Sequence, residues 1–259
     1  MKRYFRWSQK EYATKRAQAQ AFHCRPKPPL TETLIKAVAF DIDGTLTFRD
    51  RSLQLAAVES IRQLTVPVVL ATGNILCFAT ALAVTIGNIS AVIAENGGIV
   101  TDGTSKIVSG NIDACRRVAR EIEGSGLLTL KRINSGERVT EIAYSRDTLS
   151  VSDVALFRKL VAQSCEDVTV VDSGFALHIK DAHVNKGVGL AKVAELLHIP
   201  LNKFAAFGDS ENDVQMLEAA GTGIAVGDAD PKARAAASYV VKQPNGLGVV
   251  EGLRYLQLL

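Results

Sequence analysis

Short apolar runs recur along this chain, near residues 35–40, 66–71, 91–94, 203–207, 223–226 and 239–241. Stretches with helical periodicity lie between them, and this alternation predicts a parallel, doubly wound α/β sheet of Rossmann-like type. From Gly98 to Ala182 the pattern changes. Ile99-Val100 and Lys106-Ile107-Val108 flank Asp102-Gly103, a hairpin signal. A helix is then expected over Asn111–Glu123, a strand over Arg138–Tyr144, a helix over Ser152–Gln163, and strands over Val168–Val171 and Phe175–Ile179. The expected organisation is a discontinuous core, residues 31–98 and 183–259, with a small α/β cap inserted at 99–182.

Composition changes this picture in three places. At 259 residues and 47% hydrophobic, the chain can bury a sizeable core in one or two domains. Residues 65–94 hold no charged side chain, but Pro67, Gly73-Asn74 and Gly87-Asn88 break the stretch into pieces too short for a membrane span. Charge is concentrated in the first 36 residues, where nine Lys or Arg meet two acids. That leaves −4 for the rest of a chain at +3, so the basic balance gives no argument for nucleic-acid binding by the body.

Residues 1–30 also carry Tyr4, Phe5, Trp7 and Tyr12 and end in a proline-rich run, with no apolar signal-peptide core. A disordered or loosely helical extension, or an upstream start codon, is the favoured expectation, with an organellar transit peptide as the alternative. Cys24, Cys77, Cys115 and Cys165 lack metal-ligand spacing and read as reduced thiols in a cytoplasmic protein.

Candidate chemistry sits where the apolar runs end. Ala37-Val38-Ala39-Phe40 leads into Asp41-Ile42-Asp43-Gly44-Thr45, two carboxylates at a strand end followed by a residue that permits a sharp turn. Acids beside a core are costly unless compensated, and a divalent cation with a phosphate would compensate them. Thr45 would offer its hydroxyl and amide to a phosphate oxygen. Val66–Ala71 leads into Thr72-Gly73-Asn74, whose hydroxyl and amides would surround a phosphate at a helix start; alone, this segment would pass for a helix cap. Lys186 stands in the first turn of an expected helix, where a cation opposes the macrodipole, so either a phosphate contact or a solvated surface position accounts for it. Phe204–Phe207 leads into Gly208-Asp209, with Asp213 four residues on and on the same helix face.

In this order the four segments resemble the haloacid dehalogenase superfamily of phosphatases. Ala94-Glu95-Asn96-Gly97-Gly98 and Val171–Lys180 are similar to the archaeal phosphoglycolate phosphatases within it, over roughly residues 35–259. The resemblance implies Asp41 as the nucleophile that forms an aspartyl-phosphate, and Asp43 as the acid and base. It implies Mg²⁺ held by Asp41, the Asp43 carbonyl, Asp209 and Asp213, with Thr72, Gly73, Asn74 and Lys186 on the phosphoryl group. The implied substrate is a small phosphorylated metabolite, 2-phosphoglycolate first, with another sugar phosphate or a phosphomutase reaction as alternatives. Neither nucleic acid nor membrane is an expected partner, and a homodimer is left open. A substrate carboxylate would need a cation from the cap. Arg138 is the candidate and Arg132 the alternative, and either could equally be an exposed loop arginine.

Overall fold

The computed structural model describes residues 34–164 and 166–259. The basic extension, Cys24 and Cys165 lie outside the described residues. The apolar runs form six strands of the main sheet: β1 (Ala37–Asp41), β2 (Val68–Ala71), β3 (Ala91–Ala94), β9 (Phe204–Gly208), β10 (Thr222–Ala225) and β11 (Tyr239–Val240). They pair in parallel in the order β11-β10-β9-β1-β2-β3. Every residue of β1, β2, β3, β9 and β10 is buried, because helices cover both faces. Those helices are α1 (Leu55–Gln63), α2 (Leu76–Ile86), α5 (Lys186–Leu196), α6 (Val214–Ala219), α7 (Pro231–Ala236) and α8 (Asn245–Tyr255). The main core gathers Phe40, Leu70, Ile93, Leu190, Phe207 and Ile224 about the sheet.

The hairpin assigned to the cap forms as β4 (Ile99–Thr101) and β5 (Lys106–Val108), but it belongs to the other layer. β4 pairs antiparallel with β3, and the two strands complete an eight-stranded core sheet. Its turn signal fixes a hairpin but not the sheet the hairpin joins. Burial of Val100 and Ile99 against core residues decides that.

The inserted layer runs from α3 (Ile112–Gly124) to β8 (Ala176–Asp181), through β6 (Glu141–Ser145), α4 (Val151–Ala162) and β7 (Val168–Asp172). Its antiparallel sheet has the order β6-β8-β7. One face presents Ile142, Tyr144, Leu177, Ile179 and Val170 to α3 and α4, forming a separate apolar core. The register puts Glu141, Ala143 and Ser145 on the opposite face, together with His178 and Lys180. β6 begins three residues after the expected start: Glu137 and Arg138 both donate their amides to the carbonyl of Asn134, so the chain is still turning there. No helix among the described residues is long and apolar enough to cross a membrane.

Candidate active site

β1 lies between β2 and β9, so the loops leaving all three strands meet around the end of β1. Asp41, its last residue, is 3% exposed. One oxygen accepts from Lys186 Nζ; the other, Oδ2, is buried without a partner among the described residues. Lys186 begins α5 behind an Asn185 cap whose Oδ1 accepts from the amide of Val188, and it is completely buried. It also donates to Asp213 Oδ1 at 2.7 Å. This excludes the solvated surface position for that lysine: two carboxylates hold it in a place no solvent reaches.

Asp213 in turn accepts from the amides of Asp209 (3.0 Å) and Ser210 (3.1 Å). It therefore fastens the loop that presents Asp209. Asp209 Oδ1 accepts from Thr45 Oγ1 at 3.0 Å, so the Thr45 hydroxyl faces a carboxylate and not the phosphate position expected for it. Gly44 is left-handed (φ 93°), and a side chain there would run into the Asp209 carboxylate.

Carboxylate oxygens of Asp41, Asp209 and Asp213 lie within 4.8 Å of one another. Burial, then the charge of Asp213, pushes Asp41 well above the usual carboxylate range against the pull of Lys186. The same two causes push Asp209 up to about 7. Burial works to lower Lys186, but Asp213 and Asp41 outweigh it and hold it protonated. Three carboxylates share one cation here. An all-oxygen donor set with an unpartnered Asp41 oxygen fits a hard divalent cation, which would relieve the repulsion.

Asp43 faces the cavity beyond. It accepts from Asn74 Nδ2 at 2.8 Å and from Arg51 Nε at 2.9 Å. Thr72 is fully buried, and its hydroxyl oxygen accepts from the amide of Asn74 at 3.0 Å. α2 starts only at Leu76, so the turn of Thr72, Gly73 and Asn74 is closed on itself before the helix, and the Asn74 amide is already engaged.

The cavity, of about 300 Å³, is walled on the core side by Asp41, Asp43, Arg51 and Gly73, and on the cap side by Arg138 and His178. Arg138 is 4% exposed, pairs with buried Glu141 and donates to the carbonyl of Gly73 at 3.0 Å. It is no exposed loop arginine. Arg132 grips Glu123 at 2.6 and 2.9 Å, outside the cavity.

Five further residues, Arg51, Glu95, Asn96, Glu141 and His178, were not singled out as site candidates from the sequence. Glu95 and Asn96 follow β3 with left-handed backbones (φ 47° and 51°), which a sequence does not announce. The alternation of Glu141-Ile142-Ala143-Tyr144-Ser145 was a usable signal for Glu141, since a charge at the start of such a strand has to face something polar.

A family model described as haloacid dehalogenase-like hydrolase matches residues 38–121 and 128–253. The chain belongs to that family. Among haloacid dehalogenase-like relatives, a protein of Archaeoglobus fulgidus named phosphoglycolate phosphatase is 46% identical over 227 residues, covering 86% of this chain and 98% of the relative. One of the same name from Methanosarcina acetivorans is 43% identical, with 86% and 96% covered. A crystal structure from Thermoplasma acidophilum has a TM-score of 0.78 at 24% identity, over 87% of this chain and all of that one. A haloacid dehalogenase-like hydrolase from B. subtilis gives 0.72 at 20%, over 85% and 99%. The two structures speak for the fold alone.

Proposed function

We propose that this haloacid dehalogenase-like hydrolase is a Mg²⁺-dependent phosphomonoesterase that works through an aspartyl-phosphate and takes 2-phosphoglycolate as its substrate. The observation that carries the reading is Asp41. Its carboxylate sits at a strand end, held by a buried lysine on one oxygen and without a partner among the described residues on the other. The substrate is suggested by relatives of that name at 43% and 46% identity over most of the chain.

In this reading Asp41, Asp209, Asp213 and the Asp43 carbonyl would hold Mg²⁺, which when bound supplies positive charge against the carboxylates and the phosphoryl oxygens. An Asp41 oxygen attacks phosphorus as the bond to the leaving oxygen breaks, and Asp43 delivers the proton that makes the product an alcohol. Water then attacks the phosphorus of the acyl phosphate, gives its proton to Asp43, and leaves inorganic phosphate and a restored Asp41 carboxylate. Lys186 neutralises Asp41 and the transferring group from behind. From the turn of Thr72, Gly73 and Asn74, the Thr72 hydroxyl and the Gly73 amide would serve the phosphate as neutral donors, while Asn74 holds the turn and Asp43 in place. Arg138 is assigned to the substrate carboxylate.

A panel of small phosphomonoesters, assayed for inorganic phosphate with Mg²⁺ and with chelator, tests this. Preferred release from 2-phosphoglycolate, lost on chelation, is expected. No phosphate release from any member would overturn it, and transfer of phosphate to a second acceptor would favour a mutase.

A further inference from the structure

The cap face over the site carries a buried charged group that the chemistry above does not use. Glu141 is fully buried, and its carboxylate accepts from Arg138 Nη1, from His178 Nδ1 at 2.7 Å and from Asn96 Nδ2 at 2.9 Å. Burial alone would raise its pKa, but His178, Arg138 and Asn96 together hold it below the usual range. Glu141 is therefore ionised and can only accept. That fixes Nδ1 of His178 as a donor and turns Nε2 away from Glu141. Nε2 lies 3.4 Å from Ser173 Oγ, and both residues line the cavity that Asp41 and Asp43 line from below.

Arg138 shows the same excess of donors. Nη1 serves Glu141 and the Gly73 carbonyl, whereas Nε is buried with no partner among the described residues. A tie between cap and core needs no such group, since an apolar contact would serve without the desolvation of three polar side chains. Two donor-bearing side chains at one cavity wall, backed by a single carboxylate, suit an anion. A carboxylate that enters the cavity would set His178 between two anions, with Glu141 already on Nδ1, and would give buried Arg138 Nε an acceptor.

We propose that His178 and Arg138, both held in place by Glu141, form the subsite for a carboxylate at the far end of a small phosphoester. His178 is a specificity-determining residue and Glu141 a positioning residue. The inference rests on the phosphomonoesterase reading and deepens it, since Arg138 is no longer the sole partner of the carboxylate.

The test compares 2-phosphoglycolate with 2-hydroxyethyl phosphate, which keeps the phosphoester and exchanges the carboxylate for an alcohol. Wild-type enzyme should prefer the carboxylate substrate. His178→Gln, close in size and uncharged, should lower kcat/KM for 2-phosphoglycolate by about 10–100-fold, the range of a charge-assisted hydrogen bond, while the alcohol substrate changes by less than about threefold. Glu141→Gln should erode the same preference, mainly through KM. If that variant does not fold, His178→Gln decides alone, with its melting temperature as the control for folding.

Equal losses on both substrates would overturn the subsite and leave the trio a structural tie. An unchanged preference in His178→Gln would also overturn it. Wild-type enzyme that hydrolyses both substrates equally well sinks the subsite but keeps the phosphomonoesterase. Hydrolysis of neither, nor of any other phosphomonoester, sinks the underlying reading.

Discussion

Asp41 and Asp43 stand two residues apart and occupy different surroundings, and their proposed roles follow from that difference. Asp41 is buried against Lys186 and two further carboxylates at one wall of the cavity; Asp43 faces the cavity between Asn74 and Arg51. Asp41→Asn removes the attacking charge at constant volume, so kcat should fall by about a thousandfold or more while the melting curve holds. Asp43→Asn should cost about 10²–10⁴-fold, with the larger loss on alkyl than on activated aryl phosphates, because only the alkoxide needs a proton on departure. Steady-state assays of both variants on one ester of each kind would separate nucleophile from acid.

The acid cluster also gives a pH dependence whose sign is fixed. Asp209 has an ordinary pKa of 3.8 and is raised to about 7 in the folded chain, so the folded state binds its proton more tightly than the unfolded state. Stability of metal-free protein is then lost as pH rises from about 4 to 7. Mg²⁺ should raise the melting temperature well above pH 7 and little at pH 5, by about 2–4 °C per kcal/mol for a domain of this size. Melts with chelator and with Mg²⁺ at the two pH values check it; an equal Mg²⁺ effect at both would remove these carboxylates as the metal site.

Legibility at this scale followed chain proximity. Asp41, Asp43 and Thr72 to Asn74 announce themselves because each ends its own apolar run, and Asp209 does so for the same reason. Arg51 and His178 do not, because the contacts that matter to them cross the chain. Arg51 reaches Asp43 from a left-handed residue (φ 68°), with its guanidinium 5.4 Å from the centre of the Phe175 ring in the cap.

At the scale of elements, apolar runs translated directly into parallel strands, all but the edge strand β11 buried throughout, and order and direction followed from the helices between them. Boundaries were set by local hydrogen bonds the sequence does not display. The carbonyl of Asn134 delays β6, and the closed turn at Thr72 delays α2. The passage from β3 to β4 is the most constrained connection: Glu95, Asn96 and Gly97 are all left-handed, and a side chain on Gly97 (φ 98°) would collide with the carbonyl of Asn185, just before Lys186. Gly97→Ala should therefore destabilise the protein by about 2–3 kcal/mol or more, as backbone strain and overpacking act at one position. Because the collision pushes on the start of α5, Lys186 should shift with it. Denaturant unfolding together with kcat measures both. A stable variant with reduced kcat would place the effect on Lys186 alone, and unchanged values for both would refute the collision.

Taken whole, the molecule is a core that carries the acids and a cap that closes the cavity above them, joined by polar contacts that converge on one turn. The Glu95 carboxylate, 1% exposed, accepts from the amide of Thr140 (2.8 Å), from its hydroxyl (2.6 Å) and from the amide of Val139 (3.1 Å). Asn96 beside it joins Glu141 of the cap to Asn212 of the Asp209 loop. The turn thus ties the cap both to the core sheet and to the acidic loop. Burial raises the pKa of Glu95, and the Thr140 and Val139 donors offset only part of that cost. Glu95→Ala leaves the Val139 and Thr140 amides without their acceptor whenever the cap is closed. Charged hydrogen bonds are worth about 1.5–3 kcal/mol each, and water recovers part of this when the cap opens, so closure should weaken by about tenfold to a hundredfold. Every substrate needs the closed cavity, whereas only a carboxylate substrate needs His178. Glu95→Ala should therefore lower kcat/KM for 2-phosphoglycolate and 2-hydroxyethyl phosphate alike, leave their ratio intact, and speed amide exchange at Val139 and Thr140. A changed ratio with unchanged exchange would make Glu95 a reader of substrate and not a clasp.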